Sequence, residues 1–299
     1  MEQRTDEIAS KFLGKKVDGS KFYDPSLIVV VPREDNRKQY NINNSYLPFY
    51  GFDAWHCYEF SSMTENNVPV TRLMKLKYSC ENDYIIESKS LKLYLNSFNM
   101  SCFGKTTLEC LDICKLKIES DLSEKLKTEV NVCFIDNSAE RIEIFNDFKN
   151  IMEYVDESTL KINSFKESPE VLKISKTEES KTYYLMFDSL RSNCRVTHQP
   201  DFGDVYIYYK SKKHIDENSL VQYLTSFRSE YHFHEECCEM IYKRLFDLLT
   251  PQDELFVCAL YTRRGGIDIC PARWSKNCIY KDVFNLMDVT KYARKPIKQ

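Results

Sequence analysis

The sequence predicts an α+β protein built twice on one plan, with elements in the order β-β-α-α-β-β. Three observations carry this. In the second half, apolar residues alternate in two segments (182–190 and 204–210) and then recur at three- and four-residue spacing in the next two (216–229 and 235–249). The first half shows the same succession. One helix in each half also shares a pattern: ESKSLKLYLNSFN at 87–99 and DENSLVQYLTSFR at 216–228. Ser90/Ser219, Leu91/Leu220, Tyr94/Tyr223, Leu95/Leu224, Ser97/Ser226 and Phe98/Phe227 coincide at a constant offset of 129 residues (219 − 90). Two unrelated amphipathic helices would share leucines by chance, but shared polar serines favour duplication.

Taken in order, residues 1–20 are polar and read as a peripheral arm. Strands follow at 54–62 and 69–78, helices at 88–100 and 105–119, and a strand at 128–135. Within the second helix, Cys110 and Cys114 share an apolar pattern with Leu108, Leu111 and Leu116, which makes them core residues. Ile142, Ile144, Phe145, Phe148, Ile151 and Met152 make 139–155 one further amphipathic helix. Residues 156–181, with many Ser, Glu and Lys, read as a linker. In the second half, Val205, Ile207 and Tyr209 alternate with Tyr206, Tyr208 and Lys210 along a strand. Leu220, Tyr223, Leu224 and Phe227 define one helix, and Met240, Ile241, Leu245 and Leu248 the next, which Pro251 ends. LFVCALYT at 255–262 is a strand, Gly265 and Gly266 mark a turn, and 267–270 is a short strand. The division is an N-terminal module with its arm at 1–155, a linker at 156–181 and a C-terminal module at 182–299.

Composition excludes several classes. Hydrophobic residues make up 42% of 299, enough for two cores, and 42 Lys and Arg face 45 Asp and Glu. That balance argues against a protein that coats nucleic acid. No apolar run approaches the roughly 20 residues of a membrane helix. The start, MEQRTDEIASKF, has no signal-like apolar region, so a cytosolic chain is expected. The seven glycines are never arranged as G-x-G-x-x-G or as a P-loop, so a nucleotide must be held by another device. Twelve cysteines include no C-x-x-C pair. They are expected to be reduced, mostly buried, and not zinc ligands. His232 and His234 form an H-x-H with no convincing further ligand, so no metal is expected.

Three segments look chemical. SNCRVTHQPDFG at 192–203 lies between two strands. Cys194 sits between Arg191 and Arg195, and neighbouring positive charge favours the nucleophilic thiolate. Asp201, beside Pro200, can return towards it, which suits covalent attack with proton donation. An inert loop thiol is the other reading. Glu87-Ser88 and His234-Glu235 each open a helix. They are either caps or, together, two carboxylates and a histidine facing one pocket suited to a planar amidine. Arg263-Arg264-Gly265-Gly266 is either a phosphate grip or a solvated turn.

ESKSLKLYLNSFN, SNCRVTHQPDFG, FHEE at 233–236 and YTRRGGIDICP at 261–271 together resemble the NADPH-dependent 7-cyano-7-deazaguanine reductases, the nitrile reductases of queuosine biosynthesis, in their long two-module form. The resemblance implies two tandem tunnelling-fold modules, each an antiparallel sheet with a helix pair on one face. It implies that Cys194 forms a covalent thioimide with the nitrile and that Asp201 protonates the nitrile nitrogen, with His234 assisting. It places Ile86, Glu87, Ser88, His234 and Glu235 on the deazaguanine base, and Ser88, Lys89, Arg264 and Gly265 on NADPH. Two NADPH per turnover, a homodimer and the absence of a metal also follow from it, with no nucleic-acid or membrane partner. Cys270 stands where asparagine is usual in the family, and 272–275 is a rearranged version of the usual segment. Two other functions fit the residues: a cysteine-dependent nitrile or amide hydrolase, and a non-catalytic purine- or pterin-binding module.

Overall fold

The structure is a computed structural model that describes residues 22–280, 282–294 and 299; the expected arm at 1–20 lies outside them. The elements are β1 (Val30–Pro32), α1 (Glu34–Gln39), β2 (Tyr50–Met63), β3 (Pro69–Ser79), β4 (Tyr84–Ile86), α2 (Ser88–Asn96), α3 (Thr107–Leu126), β5 (Val130–Ile135), β6 (Arg141–Ile142), β7 (Lys149–Asn150), β8 (Ile174–Asn193), β9 (Pro200–Ile215), α4 (Glu217–Thr225), α5 (His234–Leu248), β10 (Glu254–Tyr261), β11 (Ile267–Trp274), α6 (Asp282–Met287) and β12 (Tyr292–Ala293). One eight-stranded sheet runs β5-β3-β2-β11-β10-β9-β8-β7, antiparallel except where β7 joins β8. The two halves meet where β11 pairs with β2, from Ile267 opposite Cys57 to Trp274 opposite Tyr50. Both helix pairs lie on the same sheet face. Leu91, Cys110, Cys114 and Ile118 pack on Trp55, Met74 and Val132 in one half. Leu220, Leu224, Met240 and Ile241 pack on Val205, Ile207 and Val257 in the other. This is the tandem tunnelling-fold architecture.

The polar serines of the repeated helices explain their own recurrence. Ser90 donates to the Glu87 carbonyl (2.8 Å) and accepts from the Val29 N–H (3.0 Å). Ser219 donates to the Asp216 carbonyl (2.8 Å) and accepts from the Lys173 N–H (3.0 Å). Two turns later Ser97 and Ser226 repeat the device, accepting from the Asp24 and Ser168 N–H groups. Each serine therefore pins the chain segment that runs in before its module, satisfying buried N–H groups that would otherwise be costly.

Three expectations need correction. Residues 139–155 are not a helix: they hold β6, β7 and a 3-10 turn at Ile151–Tyr154, and Phe145 has φ 61°. The second sheet face is apolar, with Phe52, Tyr206, Phe256 and Cys258 buried. Lying across it, this segment buries both Phe145 and Phe148; Phe145 stacks on Tyr206 at 4.4 Å. Tertiary burial thus overrides the periodicity. Residues 174–181, read as linker, belong to β8. The first half also ends after β5 without a fourth strand in the sheet, so its order is β-β-α-α-β.

A buried charge network underlies the β2–β11 joint. Arg33 pairs with Asp53 (2.5 Å), and Arg37 makes a two-pronged contact with Glu239 (2.8 and 2.7 Å). Arg273 bridges Asp53 and Glu239 (both 2.9 Å). Burial disfavours the Glu239 anion, but Arg37, Arg273 and Arg33 outweigh it and lower its carboxyl to about 2. Gly51 is required beside this cluster, because a Cβ there would lie 2.4 Å from the Ala272 carbonyl and 2.7 Å from Arg273 Cδ. Glu239→Gln leaves Arg37 and Arg273 without their anion. It is expected to cost about 3–5 kcal/mol; an unchanged urea midpoint would refute this.

Candidate active site

At the seam between the helix pairs lies a cavity of about 230 Å³, lined by residues of both halves. Ile86, Ser88 and Lys89 come from the β4–α2 junction, Cys194 and Asp201 from the β8–β9 connection, His234 and Glu235 from the start of α5, and Arg264 and Gly265 from the β10–β11 turn. The expected residues therefore converge, except Glu87.

Capping explains that exception. Glu87 is the N-cap of α2, and its carboxylate accepts from the Lys89 and Ser90 N–H groups (3.1 and 2.7 Å). It is buried behind the cavity wall. At α5 the cap is made by Glu236, which accepts from the Phe233 N–H (2.9 Å) and from Arg195 (3.1 Å). Glu235 is not needed for capping. It lines the cavity, is 1% exposed, and its Oε1 has no hydrogen-bond partner. Burial first, then the nearby Asp53, raises its carboxyl to about 8 against the pull of Arg33 and Arg273. Burial thus favours its protonated form at neutral pH, and its Oε1 offers the cavity a polar atom without a partner.

Cys194 heads a tight turn. Its N–H donates to the Gln199 carbonyl (2.8 Å), its carbonyl accepts from the His198 N–H (2.9 Å), and His198 takes φ 57°. The Lys89 ammonium lies 3.7 Å from its sulfur. The arginines beside Cys194 in sequence point elsewhere: Arg191 to the Arg228 carbonyl (2.6 Å) and Arg195 to Glu236. Asp201 contacts His234 Nε2 (3.3 Å) and is ion-paired with Arg264. Burial works against its charge, but His234 and Arg264 prevail and hold its carboxyl below the usual range. Asp201 is thus a carboxylate at rest. The His234 ring is fixed by stacking on Tyr261, centroids 3.8 Å apart at 3°.

The mouth suits a phosphorylated dinucleotide without Rossmann glycines. Lys89, Lys92 and Arg264 line one rim, and Gly265 and Gly266 take φ 57° and 79°, conformations that disfavour other residues. Lys92 donates to the Gly265 carbonyl (2.6 Å), holding that turn against α2.

Sequence reasoning missed Trp55, Lys92, His232 and Thr262, which also line the cavity. Lys92 sits one turn after Ser88, so helical spacing offered a signal. Trp55 read only as a strand residue. Burial lowers the affinity of His232 for a proton, but Glu230 and Glu236 overcome that and raise it to about 9. Among the described residues the group with metal-ligating atoms close together is His56, Asp268 and Cys270. It lies on the other sheet face, where Asp268 takes hydrogen-bond contacts from His56 (2.8 Å) and Tyr58 (2.6 Å).

Both Glu235 and His232 hold protons more tightly folded than unfolded. Glu235 therefore makes stability fall as pH rises from about 4.5 to 8, and His232 makes it fall from about 6.5 to 9. Below about 4.5 the Glu239 contribution is lost. The melting temperature is expected to peak near pH 5, and Glu235→Gln is expected to flatten the decline up to pH 8. Parallel wild-type and variant curves over that range would refute the assignment.

Comparison with known proteins agrees with this geometry. Residues 20–134 match the family described as "Nitrile reductase, 7-cyano-7-deazaguanine-reductase N-term", and residues 200–288 match that described as "QueF-like protein". The chain is 37% identical over 278 residues to the NADPH-dependent 7-cyano-7-deazaguanine reductase of Colwellia psychrerythraea, covering 91% of this chain and 94% of that one. It is 36% identical over 270 residues to the proteins of that name from the Lens and Paris strains of Legionella pneumophila, covering 90% of each chain. A cysteine, a carboxylate and a glutamate of the second module, facing Ile86, Ser88 and Lys89 of the first across one cavity, are thus set in a sequence that belongs to the NADPH-dependent 7-cyano-7-deazaguanine reductase family.

Proposed function

We propose that this protein reduces the nitrile of 7-cyano-7-deazaguanine to the aminomethyl group, as a step of queuosine biosynthesis, through a covalent thioimide on Cys194. One observation supports the reading: Cys194, Asp201 and Glu235, whose Oε1 has no hydrogen-bond partner, line the same cavity.

Glu235 would bind the planar N–C–N edge of the base as a carboxylate, releasing its proton as the base's two N–H groups replace it, with Ile86, Ser88 and His234 also lining the site. The Cys194 sulfur attacks the nitrile carbon. Because Asp201 is ionised at rest, it first accepts the thiol proton and then delivers it to the nitrile nitrogen. The sum is addition of S–H across C≡N, so no proton is gained or lost. His234 and Arg264 keep Asp201 placed and make it a poor resting place for that proton. Lys89, Arg264 and Gly265 would hold NADPH, which supplies two hydrides per turnover, one to the thioimide carbon and one to the imine left when the C–S bond breaks. That break returns Cys194 as thiolate, and two protons taken up from solvent, one by the substrate nitrogen and one by Cys194, complete the turnover. Retaining the imine requires exclusion of water, and the apolar wall of Trp55, Ile267 and Ile269 contributes to this.

The test mixes protein, nitrile base and NADPH and follows nicotinamide absorbance; oxidation of two equivalents per amine is expected. Ammonia release without oxidation would establish a hydrolase, and binding without either would leave a purine-binding module. Cys194→Ala is expected to bind the base and form no adduct by intact mass; an adduct that persists would assign the chemistry to another thiol. Asp201→Asn is expected to slow adduct formation by roughly 10²–10⁴-fold with base affinity little changed. Normal adduct kinetics would remove its role.

We also propose a homodimer. Among the described residues the outer side of β5 carries no strand, and β7 pairs with two residues of the 20-residue β8. Such edges call for cover. Light scattering is expected to give twice the chain mass; a monomer at working concentration would refute it.

A further inference from the structure

We propose that the Lys89 ammonium is the counter-charge of the Cys194 thiolate, a catalytic role in addition to any contact with cofactor phosphates. The reading rests on Cys194 being the nucleophile. Lys89 Nζ lies 3.7 Å from the Cys194 sulfur and 3.7 Å from Glu87 Oε1. Lys89 and Glu87 are joined at the start of α2, where Glu87 is fixed by its two backbone hydrogen bonds. The capping carboxylate thus holds the ammonium over the sulfur.

The other charges around the sulfur are directed to other partners. Arg195 faces Glu236, and Arg264 faces Asp201. His232 lies between Glu230 and Glu236 (3.3 and 3.5 Å). His234 contacts Asp201, and Glu235 is protonated through burial. Lys89 makes a polar contact with the sulfur itself. Cys194 is 8% exposed and the Lys89 side chain 37%, so the sulfur end of the pair is shielded while water partly screens the ammonium.

The sequence could not reveal this. It suggested Arg191 and Arg195 as the activating charges, and the fold turns both away and brings in a lysine 105 residues distant.

The experiment alkylates the full-length protein with iodoacetamide across pH 5–10 and quantifies modified Cys194 by peptide mass spectrometry. Lys89→Met and Lys89→Gln are expected to move the midpoint of reactivity up by about one unit or more and to slow alkylation at pH 7 roughly tenfold. Lys89→Arg is expected to keep the wild-type midpoint, which loss of packing alone would not predict. A Met or Gln profile that superimposes on wild type overturns the proposal, as does an Arg profile that shifts as far as Met. If the uncharged variants do not fold, the wild-type midpoint decides: a value at or above that of a free thiol overturns the proposal. Alkylation counts thiolate without turnover. A missing nitrile adduct in a protein whose profile depends on Lys89 would therefore defeat only the reductase reading, and an unmoved profile would defeat only this one.

Discussion

Five buried charges hold the two halves of this protein in register. Arg33, just before α1, Arg37 on α1, Asp53 on β2, Glu239 on α5 and Arg273 on β11 form one connected set, each nearly inaccessible. Such a set gains little net stability over apolar packing, because desolvation offsets most of the attraction. Its effect is geometric. A guanidinium fork accepts few arrangements of two carboxylates, so Arg273 can bridge Asp53 and Glu239 only if β2, β11 and α5 keep their spacing. The cavity walls stand on those same elements.

The network also sets the chemistry above it. Glu235 is four residues before Glu239, one helical turn away, and responds to the same groups: Asp53 raises its proton affinity while Arg33 and Arg273 lower it. The difference between Glu87, Glu235 and Glu236 is positional. At N-cap and at N3 the carboxylates of Glu87 and Glu236 accept from backbone N–H groups of other residues at their helix starts; at N2 Glu235 engages its own N–H and lines the cavity with Oε1 free of a partner.

Much of the fold was legible because its signal is local and repeated. The alternation in β9 and the helical spacing in α4 and α5 follow from which face of each element is covered. The shared serines marked the duplication because each answers a local demand, a buried N–H of the incoming chain. What stayed hidden depends on contacts between distant segments. The 139–155 stretch has a helical apolar spacing, yet the bare sheet face takes both its phenylalanines only from an irregular chain. The segments that line the cavity were found from residue types and resemblance. Whether each glutamate caps or binds, and which cation reaches the sulfur, required the helix starts in place.

Those placements define how one proton is shared. In the proposed reaction, addition of a thiol to the nitrile is proton-neutral, so the site would move a single proton from sulfur to nitrogen. Lys89 favours its departure from Cys194, while His234 and Arg264 resist its stay on Asp201. With charges against both resting places, the proton is held poorly at either, and the nitrile nitrogen, once the sulfur begins to bond to its carbon, becomes the better acceptor. On that proposal the barrier to addition would fall, because the transfer does not start from a deep minimum. A site with Lys89 but without Arg264 would leave the proton on Asp201, and one with Arg264 but without Lys89 would leave it on sulfur. The arrangement works because the two counter-charges act on opposite ends of the same transfer.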